Sequence, residues 1–225
     1  MNRRLNPASA TREAYERWAP RYPPVAHNPL MRIEQEVMLE QWPAVAGCRA
    51  LDLACGTGRY AKLLAEAKAQ HVVALDFCAP MLGRVANASR VQANMMHLPF
   101  VDGAFDVVVS GLALGHATEV REWMAEVARV LRPGGVLLYS DFHPEAARAG
   151  LTRSFKDQDE QTCTVPHRRY DVAVQLAAVG AAGLTTEVMR EVRVGVELRE
   201  PFPRSEEFYR QWHGLPIALI VRARK

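Results

Sequence analysis

Between residues 50 and 140 the hydrophobic period switches repeatedly between that of a buried strand and that of an amphipathic helix. Ala50-Leu51-Asp52-Leu53-Ala54 is a short apolar run that ends in glycines. Tyr60, Leu63, Leu64 and Ala67 then recur at helical spacing, and Val72-Val73-Ala74-Leu75-Asp76 reads as a second strand. Pro80 suits a helix start, and a short strand is predicted near Arg90–Ala93. Phe105–Ser110 is a strong strand pattern. Val120, Trp123, Val127, Val130 and Leu131 follow at a 3.6 period, with Thr118 as a cap and Pro133-Gly134-Gly135 as a stop. Val136–Ser140 is the next strand. Strands that are apolar on both faces and alternate with helices require a mostly parallel sheet covered on both sides. Right-handed crossovers make that sheet doubly wound.

The chain's two ends depart from this rhythm. Residues 142–170 are polar and irregular, as in a long loop or lid. A helix is predicted from Asp171 to Ala182, closed by Gly183. Val192, Val194 and Val196 alternate as in a half-exposed strand, a short helix covers Ser205–Trp212, and Pro216–Ala223 is the last strand. The segment between these strands is too short for a parallel crossover, so the last strand is expected to be antiparallel. At the N-terminus, helices over 10–18 and around Ile33, Val37 and Trp42 flank Pro20, Pro23, Pro24 and Pro29. They are expected to cap the C-terminal edge of a seven-stranded, Rossmann-like α/β sheet. The reading is one domain: a helical cap (1–45), a ligand-binding core (46–141), a lid (142–170) and the rest of the sheet (171–225).

With 225 residues, 49% hydrophobic and 24% charged, the chain has the composition of an ordinary globular protein. A net charge of +3 with no block of like charge argues against a nucleic-acid partner. Cys48, Cys55, Cys78 and Cys163 show no C-x-x-C spacing, so no metal site is predicted. No apolar run has the length of a signal peptide or a membrane span. A cytoplasmic monomer or homodimer is expected.

In an open parallel sheet, ligands bind at the carboxyl ends of the strands where the strand order reverses. The turn Asp52-Leu53-Ala54-Cys55-Gly56-Thr57-Gly58 lies at such a place. Its glycines let the backbone approach a ligand, and the helix that follows offers free N–H groups. Gly56-x-Gly58-x-x-Ala61 also fits a relaxed dinucleotide fingerprint. Asp76, at the end of the second strand, suits a ribose diol in either case. Asp52 is an acid inside a buried strand, which costs desolvation unless it finds a partner. A ligand with both a cationic amino group and a ribose fits this pair better than a dinucleotide does.

At these residues the chain resembles the class I S-adenosylmethionine-dependent methyltransferases, most closely the branch with the ubiquinone/menaquinone and malonyl-carrier-protein methyltransferases. Further matches are Ala74-Leu75-Asp76-Phe77 followed by Met81-Leu82, Leu98-Pro99-Phe100 before Phe105–Val108, and Leu131-Arg132-Pro133-Gly134-Gly135. The resemblance is close over residues 10–141. It implies S-adenosylmethionine as cofactor, with Ala54, Gly56 and Gly58 against its methionine part and Asp52 near the amino group. It also implies Asp76 on the ribose, with Phe77, Met81, Asn94 and Met95 around adenine. The family usually has an acid where this chain has Asn94, which keeps a carbonyl acceptor but loses the charge. Ser110, Gly111 and Leu112 would border the methionine and the transferred methyl, and Tyr15 and Tyr22 would close over the cofactor.

The reaction class asks mainly for alignment of acceptor and methyl. A base is needed only where the acceptor loses a proton. His143 and His116 are the leading candidates, since each follows a predicted strand at the expected edge; His167 lies in the lid segment and His27 in the N-terminal cap. Asp141 is a candidate to orient His143 or to cap a loop. The expected acceptor is a small metabolite, aromatic or natural-product-like, methylated on oxygen or nitrogen. The rivals are a malonyl group on a carrier protein, docked by Arg148, Arg153, Arg168 and Arg169, a nicotinamide-dependent dehydrogenase, and a catalytically silent cofactor-binding module.

Overall fold

A computed structural model describes residues 7–157, 159–199 and 205–225. The strands are β1 (Arg49–Leu53), β2 (His71–Asp76), β3 (Ser89–Gln92), β4 (Phe105–Ser110), β5 (Leu131–Phe142), β6 (Ser154–Lys156), β7 (Thr162–Thr164), β8 (Thr185–Arg193) and β9 (Pro216–Arg224). The helices are α1 (Pro7–Trp18), α2 (Pro29–Glu40), α3 (Arg59–Glu66), α4 (Ala79–Leu82), α5 (Val120–Val130), α6 (Pro144–Arg148), α7 (Val172–Ala181) and α8 (Ser205–Trp212). Seven strands form one sheet in the order β3-β2-β1-β4-β5-β9-β8. β1 to β5 pair in parallel, and β9 runs antiparallel between β5 and β8. This is the doubly wound, mostly parallel sheet with an antiparallel last strand that the sequence predicts.

Alternation along the strands feeds a core on each face. Ala50, Ala74, Val107, Val109 and Leu138 pack with Met38, Tyr60 and Leu64 on one side. Leu51, Leu53, Leu75, Val108 and Leu137 pack with Trp123, Val127 and Ala178 on the other. The helix start flagged by Pro80 holds, with that residue in the first turn of α4; Pro29, read as an interruption, also opens a helix, where Asn28 Oδ1 accepts from Met31 N at 2.9 Å.

Three local expectations differ. β8 covers 185–193 rather than 192–196, because β9 is long enough to pair with the whole run and the chain then turns into a 3-10 helix at Val196–Leu198. β5 begins at Leu131, directly after α5, and extends to Phe142, so Pro133-Gly134-Gly135, read as the helix stop, lies within the strand, with Gly134 at φ +77°. The segment predicted as irregular, 142–170, contains α6 and the hairpin β6–β7. Its apolar anchors, Phe155 and Val165, pack on Ala14 of α1 with Tyr15, Trp18 and Cys163.

Candidate active site

From β1 the chain winds first toward β2 and β3 and then returns to place β4 on the other side, so the ends of β1 and β4 open a crevice. A cavity of about 990 Å³ lies there. That is the upper end of the size range for small-molecule sites, about 300–1,000 Å³. Its floor is the strand ends and the turns that follow them; Tyr15, Trp18 and Tyr22 cover it from the N-terminal segment, and Arg153 and His167 from the segment after β5.

Asp52 is 1% exposed, and its Oδ2 accepts from Ala61 N in the first turn of α3 at 2.7 Å. Burial pushes its carboxyl up to about 7, against the pull of that N–H and of Arg59. One hydrogen bond leaves most of its acceptor capacity open, and the residue lines the cavity. Asp76 takes Gly56 N at 2.7 Å and Cys78 N at 2.8 Å. It thereby couples the glycine turn to the end of β2 while remaining on the cavity wall. Ala54 holds φ +57° and Leu112 φ +55°. Non-glycine residues rarely adopt this left-handed conformation, and such strain clusters at ligand sites.

Ala54, Gly56, Phe77, Met81, Asn94, Met95 and Gly111 also line the cavity, with Tyr15 and Tyr22 facing them. Asn94 Oδ1 accepts from Met96 N at 3.0 Å, which leaves its amide NH2 and one lone pair for a ligand. Gly58 and Ser110 lie outside the lining. Gly58 is the left-handed N-cap of α3 at φ +85°, where a Cβ would also meet Val85 at 3.0 Å. Ser110 is buried, and its hydroxyl donates to Leu53 O at 2.9 Å, tying β4 to β1.

The two leading histidines part company. His143 is 1% exposed and lies outside the cavity. Because β5 runs on to Phe142 against β9, His143 becomes the N-cap of α6: its Nδ1 accepts from Glu145 N at 3.2 Å, and its Nε2 lies 3.5 Å from Glu191. Asp141 does not orient it; Asp141 Oδ1 instead accepts from Gly115 N at 3.1 Å. His116 lines the cavity. Its Nε2 lies 2.9 Å from Tyr15 Oη and 3.0 Å from Arg153 Nη1. A guanidinium only donates, so His116 Nε2 carries a lone pair and the ring is neutral. Burial, then Arg153 and His167, hold it well below the usual imidazole range. His167 packs at 6.1 Å from it and is held down to about 3 by burial and by Arg153. Gly115 permits that approach, since a Cβ there would come within 2.0 Å of the His167 ring. His27 is outside the lining and faces Trp18 and Tyr22.

Sequence reasoning misses the buried network behind the turn. Glu34, 0% exposed, pairs with Arg59 at 2.8 Å, accepts from Tyr60 Oη at 2.8 Å and takes the Ser140 hydroxyl. A signal existed: Glu34 is the lone acid beside Met31, Ile33 and Met38 on the buried face of α2.

A methyltransferase-domain family model matches residues 51–139. A malonyl-[acyl-carrier protein] O-methyltransferase of Dechloromonas aromatica is 32% identical over 187 residues, covering 80% of this chain and 69% of its own length. A demethylmenaquinone methyltransferase of Clavibacter sepedonicus is 43% identical over 105 residues, 44% of this chain and 42% of that protein. The fold matches an S-adenosylmethionine-dependent methyltransferase structure from Mesorhizobium loti with a TM-score of 0.69 at 24% identity, over 86% of this chain and 98% of that one. The chain belongs to the class I S-adenosylmethionine-dependent methyltransferases. Its cofactor is S-adenosylmethionine, and the nicotinamide alternative falls. Among the described residues no helix is long and apolar enough to cross a membrane.

Proposed function

We propose that the chain methylates an oxygen or nitrogen of a small-molecule acceptor held between His116, Tyr15 and the 151–168 segment. The observation that carries this reading is that neutral His116 lines the same cavity as the Asp52, Gly56 and Asp76 cradle. The cofactor, when bound, supplies an electrophilic methyl on a sulfonium. Asp52 would face its amino group, Asp76 its ribose hydroxyls, and Phe77 with Met95 its adenine. The enclosing aromatic side chains of Tyr15, Trp18 and Tyr22 exclude water from the acceptor side. His116 Nε2 would take the proton that the acceptor atom sheds, once the acceptor displaces the Arg153 Nη1 and Tyr15 Oη groups bonded to it in the empty cavity. An oxygen that has just gained a methyl is strongly acidic, so an imidazole of weakened basicity suffices for it, whereas an amine nitrogen must arrive already neutral.

A malonyl thioester on a carrier protein is the second reading. It is favoured by the name of the Dechloromonas relative and by Arg12 and Arg168 on the cavity wall.

The test is incubation with methyl-labelled cofactor and a metabolite panel, with mass spectrometry of the products. Label is expected in a small molecule. His116→Ala is expected to lower kcat on an ionising acceptor by about 10²-fold or more, the usual scale of general-base catalysis, with cofactor affinity kept. Transfer only to protein or RNA overturns the reading.

A further inference from the structure

Of the cations on the cavity wall, Arg153 is the one bonded to both Tyr15 and His116. Arg153 reaches in from the segment after β5. Its Nη1 donates to Tyr15 Oη at 2.9 Å and to His116 Nε2 at 3.0 Å, and its Nη2 donates to Leu112 O at 2.8 Å. These partners are all neutral. Among the described residues no carboxylate stands within ion-pair distance of it, although Arg12, Arg59, Arg129 and nine other arginines each have one. Asp141 is the charged group that acts on it from further off, outside ion-pair distance, with Oδ1 accepting from Gly115 N. A cation held among aromatic rings without a counter-ion is costly, and proteins keep such groups where a ligand completes them. Three of the five guanidinium protons are used. The Nε–H and one Nη2–H are left, on the two atoms that form one edge of the planar fork and match a carboxylate.

Arg153 is anchored on Leu112 and His116, past the end of β4, whereas the glycine turn follows β1 beside Arg59. We propose that Arg153 recognises a carboxylate on the acceptor, so that the substrates of this enzyme are organic acids, held by a two-point contact on the acceptor side of the cavity. This rests on the reading of the cavity as a cofactor-plus-acceptor site. His167 Nε2, buried without a partner, is a further donor or acceptor facing the same space.

The experiment measures binding to protein saturated with S-adenosylhomocysteine. The probes are matched pairs: benzoate and benzamide, phenylacetate and phenylacetamide, propionate and propionamide. At least one acid is expected to bind about tenfold or more tighter than its amide, the scale of a hydrogen-bonded charge pair. Arg153→Met removes that preference, and Arg153→Lys keeps part of it. S-adenosylhomocysteine affinity changes less than about threefold in both, well under the loss of one charged hydrogen bond. If no acid outperforms its amide in the wild-type protein, or the preference survives in Arg153→Met, the proposal is overturned. If the variants lose the cofactor product instead, Arg153 serves the cofactor and the proposal is likewise overturned. If the wild-type protein does not bind S-adenosylhomocysteine at all, the underlying reading of the cavity falls with it, which separates the two failures.

Discussion

At the residue scale, Asp52 shows how a binding group is maintained against stability. Its ordinary carboxyl value of 3.8 is pushed up to about 7 by burial. A raised acid favours the folded state fully below about pH 4, and that contribution is lost as pH rises through 7. At pH 8 the ionised Asp52 is therefore a net burden on the ligand-free protein. Asn at this position keeps an oxygen for Ala61 N–H and removes the charge. Asp52→Asn is expected to raise the melting temperature at pH 8 by about 2–4 °C per kcal/mol relieved, and to have little effect at pH 4.5. The same change is expected to weaken S-adenosylhomocysteine binding about tenfold or more, because a charge-assisted contact to its amino group is lost. Differential scanning fluorimetry at the two pH values and titration calorimetry check both halves. A lower melting temperature at pH 8 would show that Asp52 is compensated in the empty protein.

At the element scale, α2 is joined to the sheet by charge rather than by apolar contact alone. Glu34 faces Arg59 and Tyr60 of α3 and Ser140 of β5. Arg59 also donates to Gln35 Oε1 at 3.2 Å and to Met31 O at 3.4 Å, so one guanidinium spans two helices. Removing one partner of a buried pair leaves an uncompensated charge and costs about 3–5 kcal/mol. Glu34→Ala is expected to lose that much in urea unfolding at pH 7.5; a loss below about 1 kcal/mol, the range of exposed pairs, would contradict the buried pairing.

The same scale shows what the sequence could and could not convey. β1, β2, β4 and β9 are legible because continuous apolar runs are diagnostic of strands covered on both faces. β8 is poorly legible because it is an edge strand with mostly exposed residues, Thr185, Thr186 and Glu187 among them, so no period marks its start. Within the site, the glycine turn, Asp76 and Phe77 are legible because their spacing is set locally by a strand and a turn. His143 misleads because two extra residues of β5 pairing carry it past the cavity edge, and pairing length is decided by β9, about 75 residues later, not by local sequence. Arg153 reads as a loop cation from its surroundings; only the tertiary return of its segment over β4 gives it Tyr15, His116 and Leu112 as neighbours.

At the scale of the whole molecule, the parts that build the cavity differ in how firmly they are held. The floor belongs to a sheet whose central strands pair on both sides and lie between two large apolar cores. The cover is α1 and the 144–168 segment, joined by a small cluster around Ala14, Phe155 and Val165. Trp18 stacks on Phe155 at 4.5 Å, and Arg21 bonds Asp157 O at 2.8 Å and exposed Glu160 at 2.7 Å. Elements with little buried apolar contact open at low free energy, and an exposed ion pair adds at most about 1 kcal/mol. The cover is thus the part able to part from the floor and admit ligands without disturbing the sheet. Hydrogen exchange is expected to be slowest in β1, β4, β5 and β9, faster in the edge strands β3 and β8, and fastest in α1 and 144–168. S-adenosylhomocysteine is expected to slow exchange at 55–58, 76–82 and 92–96 and in α1, because Tyr15 and Trp18 line the space it fills. The added protection in α1 is the decisive observation. If α1 already exchanges as slowly as β4 in the empty protein, the cover is not the entrance.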